Sequence, residues 1–81
     1  MENTLILYTG NHCHLCDQAE ALIYPLLTEH GWQLQEINIS DNPDLVKKYA
    51  TRIPVVVVSS GEEKGWPFTQ GQIKRLMGSS S

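Results

Sequence analysis

Apolar residues along this chain come in short runs between polar stretches, and the period of the runs changes from one segment to the next. Thr4 to Thr9 (Thr-Leu-Ile-Leu-Tyr-Thr) is short, β-leaning and apolar at its centre, the pattern of a strand covered on both faces. After Gly10-Asn11-His12, apolar residues recur at Leu15, Ala19, Leu22, Ile23, Leu26 and Leu27. That spacing marks one face of a helix, with Gly31 as its C-terminal stop. Pro25 falls inside the pattern, where it removes an N–H and crowds the carbonyl four residues back, so a kink is expected there, or a helix ending near Tyr24. Gln33 to Ser40 reads as the second strand, but the parity of Leu34, Ile37 and Ile39 changes midway, which requires a bulge or burial on both faces.

Asn42 before Pro43 is an N-cap followed by proline at the first helical position, and Leu45, Val46 and Tyr49 continue a short second helix. Ile53-Pro54-Val55-Val56-Val57-Val58 reads as a buried central strand, with its proline tolerated only at the beginning. A turn at Ser59 to Gly61 leads to a short last strand around Glu63 to Trp66. Thr69 and Gln72 form a capping box with Phe68 and Ile73 at the staple positions, so a helix should start at Gln70 and end near Met77. The order β-α-β-α-β-β-α predicts an α/β chain, a four-stranded mixed sheet flanked by three helices. Strands separated by helices should pair in parallel through right-handed crossovers, and the last two should form an antiparallel hairpin. One domain is expected over residues 1–77, with Gly78 to Ser81 as a flexible tail.

Composition narrows the possible partners. Eighty-one residues, 41% hydrophobic, support one modest core. Six Lys and Arg against nine Asp and Glu give a formal charge of -3 with no basic cluster, so the electrostatic footprint for nucleic acid or an anionic lipid surface is missing. No apolar run approaches the roughly 20 residues that span a bilayer. With Glu2, no Lys or Arg before the first apolar run and no long apolar leader segment, the expectation is a cytoplasmic monomer with no membrane partner. The only two cysteines sit three apart, too few and too close to staple a small secreted scaffold, so their purpose should be chemical.

A disulfide exchanger needs one thiol ionised near neutral pH and a second close enough to displace the mixed disulfide. Cys13-His14-Leu15-Cys16 on the first turn of a helix meets both demands. The unpaired N–H groups and positive dipole end at a helix N-terminus can lower a cysteine pKa from about 8.5 to roughly 3.5–7.5. Cys13 is placed to gain most and to attack; Cys16, one turn in, should be more buried and suited to resolution. His12 and His14 flank the nucleophile and offer a hydrogen bond or positive charge, while Asp17 opposes them. Two competing readings are a pair of small buried apolar residues and a zinc half-site completed by His12, His14 or His30. Structural zinc usually takes two separated ligand pairs, and no second Cys-x-x-Cys or His-x-x-x-His exists, so no metal ligand is assigned. His30, near the end of its helix, is read as complementing the dipole.

A strand ending in Leu7-Tyr8-Thr9, then Cys13-His14-Leu15-Cys16, then Arg52-Ile53-Pro54-Val55 resembles the glutaredoxin-like branch of the thioredoxin superfamily over nearly the whole chain. Gly65-Trp66-Pro67-Phe68 adds a likeness to a small bacterial glutaredoxin-like family. The resemblance implies a thioredoxin/glutaredoxin fold and a thiol–disulfide oxidoreductase that needs no cofactor beyond its thiols. Its partner would be a disulfide-containing protein or low-molecular thiol. It also implies a cis Ile53–Pro54 bond facing the cysteines, with Ile53 contacting substrate. Ordinary glutaredoxins hold glutathione partly through a Gly-Gly turn followed by acidic residues, and here Trp66, Pro67 and Thr69 occupy that region. Arg52 is left as a candidate for one carboxylate and the amides beyond Thr69 for another, so glutathione is not assigned as the reductant. Trp66 either lines a docking groove or packs under the last helix. A different class of function is a binding module that presents the Pro54 loop and Trp66, its cysteines only sensing redox state.

Overall fold

The computed structural model describes residues 3–11 and 13–79. Its elements are β1 (Thr4–Thr9), α1 (His14–His30), β2 (Gln33–Asn38), a 3-10 turn (Ile39–Asp41), α2 (Pro43–Tyr49), β3 (Val55–Val57), β4 (Glu63–Gly65) and α3 (Gln70–Ser79). The four strands form one sheet in the order β2-β1-β3-β4. β1 and β2 run parallel, whereas β3 pairs antiparallel with β1, and β4 antiparallel with β3.

Parallel pairing of strands separated by helices therefore holds for β1 and β2 alone. The reason is helix length. The 17 residues of α1 cover about 25 Å at 1.5 Å per residue, enough to return the chain to the start of the sheet. The seven residues of α2 cover only about 10 Å. β3 accordingly starts at the end where β2 stops, with Val55 opposite Tyr8 and Asn38 opposite Thr9, and runs back the other way.

Alternation along the strands sorts two clusters onto the two faces. Leu5, Leu7, Val56 and Val58 meet Ala19, Ile23 and Leu26 of α1 and Ile73 and Met77 of α3. Val55 meets Tyr49 and Ile39 on the other face, where Tyr8, Leu45, Val46, Ile53 and Val57 pack against them. Full burial of each Leu, Ile or Val contributes about 1.5–3 kcal/mol, so the first cluster dominates. The parity change in β2 is resolved by burial on both faces. Leu34 joins the first cluster, while Ile39 leaves the strand for the 3-10 turn and joins the second.

Helix α1 does not end near Tyr24. It continues through Pro25 to His30, closing on Gly31 at φ 68°. Ile23 and Leu26 are buried on either side of the exposed proline, so packing outweighs the lost hydrogen bond. The other boundary signals act as expected. Asn42 accepts from the amides of Asp44 and Leu45 at 3.0 and 3.2 Å. Gln72 N donates to Thr69 Oγ1 at 3.2 Å while Thr69 N donates to Gln72 Oε1 at 3.0 Å, with Phe68 and Ile73 both buried. α3 runs two residues past Met77, to Ser79. Ser80 and Ser81 of the expected tail lie outside the described residues.

Candidate functional site

The β1–α1 connection and the first turn of α1 carry the only cysteines of the chain. Cys13 is the N-cap of α1, with extended backbone at φ -92° and ψ 94°, and Cys16 is one turn in. The two are joined in a disulfide with Cα atoms 5.2 Å apart. Cys16 N donates to Cys13 Sγ at 3.1 Å, so an N-terminal amide of the helix points at the outer sulfur. The sulfurs differ in access as expected: Cys13 is half-buried, whereas Cys16 is only 4% exposed. His14 and Leu15 lie exposed between them, Leu15 at 43%. His12 lies outside the described residues.

A second segment reaches this connection from the far side of the sequence. The Ile53–Pro54 peptide is cis, as the resemblance implies, and Pro54 is buried. Ile53 Cδ1 lies 2.6 Å from where a Cβ on Gly10 would stand, so the absence of a side chain at Gly10 makes room for it. Trp66 N donates to Pro54 O at 3.0 Å, which attaches the end of β4 to the same loop. The Trp66 ring sits edge-on to Phe68 with centroids 5.0 Å apart and packs partly against the first cluster while staying half-buried. The Trp66–Pro67 peptide is also cis, which the sequence did not signal.

Arg52 does meet a carboxylate, but one from its own chain. Its Nη2 donates to Glu63 Oε1 at 2.7 Å, and its guanidinium carbon lies 5.4 Å from the Tyr49 ring centre. Glu63 also accepts from the Tyr49 hydroxyl at 2.9 Å. The hydrogen bonds from Arg52 and Tyr49 hold the Glu63 carboxyl below its usual range, while burial pushes the Tyr49 hydroxyl up.

Two further polar groupings border the site. Asn38 Nδ2 donates to Asn11 Oδ1 at 2.9 Å, tying the connection before Cys13 to the end of β2. On the outer side of α1, Glu20 is one turn beyond Cys16, and its carboxyl is pushed up to about 7 by a hydrogen bond with Glu36, then by burial and by the charges of Glu36 and Asp17. Tyr24 donates to the same Glu36 at 3.3 Å. Neither was visible from local spacing, because Glu36 arrives from β2.

Among the described residues no three His, Cys, Asp or Glu side chains gather as a metal site, and no helix is long and apolar enough to cross a membrane. An open cleft of about 400 Å³ between β4 and α3 is lined by Glu62, Lys64, Gln72, Arg75 and Leu76, none of which belongs to the surroundings of Cys13.

Comparison with known proteins agrees with this geometry. A glutaredoxin-like domain (DUF836) matches residues 4–78. A structural-genomics target protein from X. campestris, solved by X-ray, superimposes with a TM-score of 0.78 at 30% identity, over 95% of this chain and 99% of that one. Protein Ne2328 from Nitrosomonas europaea, solved by NMR, gives 0.79 at 27% identity, over 93% of this chain and 91% of that one. A malarial protein shares the fold alone, with a TM-score of 0.75 at 13% identity over 99% of this chain and 98% of that one. No curated protein matches the chain.

Proposed function

Because the chain belongs to the glutaredoxin-like domain family, which accounts for residues 4–78, we propose that it is a thiol–disulfide oxidoreductase working through Cys13 and Cys16. The observation that carries the reading is the asymmetric pair. One cysteine is half-buried at a helix N-terminus, and its bonded neighbour is buried one turn in.

In the reduced protein the Cys13 thiolate attacks one sulfur of a substrate disulfide. The substrate S–S bond breaks, a Cys13–substrate disulfide forms, and the other half leaves as a thiolate. Cys16, having given up its proton, then attacks Cys13 Sγ. The second half of the substrate leaves and the Cys13–Cys16 bond forms, so two electrons have moved from the protein to the substrate. The Cys16 amide, 3.1 Å from Cys13 Sγ in the disulfide form, is positioned to favour negative charge on that sulfur. A dithiol, or two thiols, restores the pair. The substrate class is a protein or low-molecular disulfide. Glutathione is not specified, since no acidic residue follows Trp66 and Pro67 at the start of α3 to meet its amino group.

The test is trapping. Cys16→Ser should accumulate a mixed disulfide with a low-molecular disulfide, detected by intact mass, and Cys13→Ser should not. The reverse pattern overturns the roles, and failure of both variants overturns the enzyme. The exposed Leu15 beside the pair supports a second reading, a binding module whose cysteines sense redox state. It predicts partner binding that survives loss of both cysteines, and no turnover by the wild type.

A further inference from the structure

The loop from α2 to β3 is held at more points than its five residues need for connection. The amides of Arg52 and Ile53 both donate to the Tyr49 carbonyl, at 2.8 and 3.0 Å. Tyr49 itself is 3% exposed and its ring lies flat on Tyr8 of β1, centroids 4.7 Å apart with 18° between the planes. From β4, Glu63 closes the arrangement. Its Oε2 accepts from the Tyr49 hydroxyl at 2.9 Å, and its Oε1 accepts from Arg52 Nη2 at 2.7 Å. One carboxylate therefore grips both the residue that ends α2 and the residue that precedes Ile53. Immediately downstream, Ile53 Cδ1 fills the space over Gly10, and the Pro54 carbonyl accepts from Trp66.

The Arg52–Glu63 ion pair has side chains 43% and 29% exposed, and pairs that open to water add little to folding stability. Its geometric effect is larger. One Glu63 oxygen accepts from Arg52 while the other is fixed by the buried Tyr49, so Arg52 is tied to the end of α2, and it is bonded directly to Ile53.

We propose that Glu63 is a positioning residue for the substrate-facing loop of the exchange reaction. By holding Tyr49 and Arg52 on separate oxygens, it sets where Ile53 and Pro54 stand against Gly10, and so where a substrate lies beside Cys13. The proposal rests on the thiol–disulfide reading for its substrate. Glu63 acts through Arg52 and Tyr49 and leaves the helix terminus under Cys13 untouched.

The experiment compares wild type, Glu63→Ala and Glu63→Gln by three measurements: reduction of bis(2-hydroxyethyl) disulfide with dithiothreitol as reductant, the pH profile of Cys13 alkylation by iodoacetamide, and amide hydrogen exchange by NMR. In Glu63→Ala the KM should rise about fivefold to tenfold, while kcat and the alkylation profile stay within about twofold. Exchange of the Arg52 and Ile53 amides should quicken about tenfold or more while that of Val56 holds. Glu63→Gln, with one carbonyl oxygen in place of two carboxylate oxygens, should fall between. Unchanged exchange at Arg52 and Ile53 in Glu63→Ala overturns the proposal. So does a fall in kcat together with a shifted alkylation profile, which is what general loosening of the fold produces. A wild type that turns over no disulfide refutes the exchange reading and the substrate half of this proposal, while the exchange of the two amides still decides whether Glu63 holds the loop.

Discussion

A methyl group at position 10 meets the tip of Ile53. A Cβ on Gly10 would lie 2.6 Å from Ile53 Cδ1, whereas two carbon atoms rest at about 3.5–4.0 Å, so one must give by roughly 1 Å. The positive-φ glycines are Gly31 and Gly61, so alanine suits the backbone at position 10 and the whole penalty is steric. Cδ1 is the far end of a rotatable, half-buried side chain, and the relief is an off-rotamer turn of Ile53 that costs about 0.5–1.5 kcal/mol. Against this, alanine restricts the unfolded chain and returns about 0.4–1 kcal/mol. Gly10→Ala alone should therefore be nearly neutral to about 1 kcal/mol destabilising. Ile53→Val deletes the clashing methyl and costs about 0.5–1.5 kcal/mol by itself. In that background Gly10→Ala should become stabilising, so the double variant should exceed additivity by about 0.5–1.5 kcal/mol. Urea unfolding of the four proteins, all with the disulfide formed, reads this coupling directly. Additivity within about 0.3 kcal/mol would refute the close approach of the two loops.

The pH dependence of folding has a sign set by Glu20. Its pKa is raised from 4.5 to about 7, so between those values the folded protein keeps a proton that the unfolded chain has released, and stability falls as pH rises. Glu20→Gln should flatten that slope when unfolding free energies at about pH 5 and about pH 7.5 are compared with wild type. An unchanged slope would mean that Glu20 and Glu36 do not share a proton. Glu63 has the opposite sign: its lowered pKa adds stability that is lost as pH falls below the ordinary carboxylate value. Removing Asn42 leaves two first-turn amides of α2 without their acceptor. Asn42→Ala should cost about 1 kcal/mol, seen as a fall in Tm of about 4–8 °C, and Asn42→Asp should retain most of the stability.

How legible each feature was in the sequence follows the distance over which its signal acts. β1, the start of α1, the Asn42 cap and the Thr69–Gln72 box could be read because spacing, caps and turn residues act within one turn of chain. The disulfide pair was legible for the same reason, its residues being three apart. The Arg52–Glu63 pair spans 11 residues and the Tyr49–Glu63 bond 14, and both depend on the β3–β4 register that sets Val57 opposite Glu63. The likeness to glutaredoxins leaves Arg52 as a candidate for a substrate carboxylate, and the hairpin brings it the Glu63 carboxylate of its own chain. The persistence of α1 beyond Pro25 was hidden likewise, because what offsets the proline is burial of Ile23 and Leu26 against strands far away in sequence. The antiparallel direction of β3 needed one more quantity, the reach of a seven-residue helix.

The sheet order puts β2 and β4 at its two margins, and their composition bears on whether molecules of this chain join one another. A free margin offers unpaired N–H and C=O groups to any passing extended chain, and long, flat, apolar margins seed aggregation. Here β4 is only three residues long and carries Glu63 and Lys64, while β2 alternates Gln33, Gln35 and Glu36 with two half-buried apolar positions and then breaks into a 3-10 turn. Neither margin gives a second molecule a long apolar template.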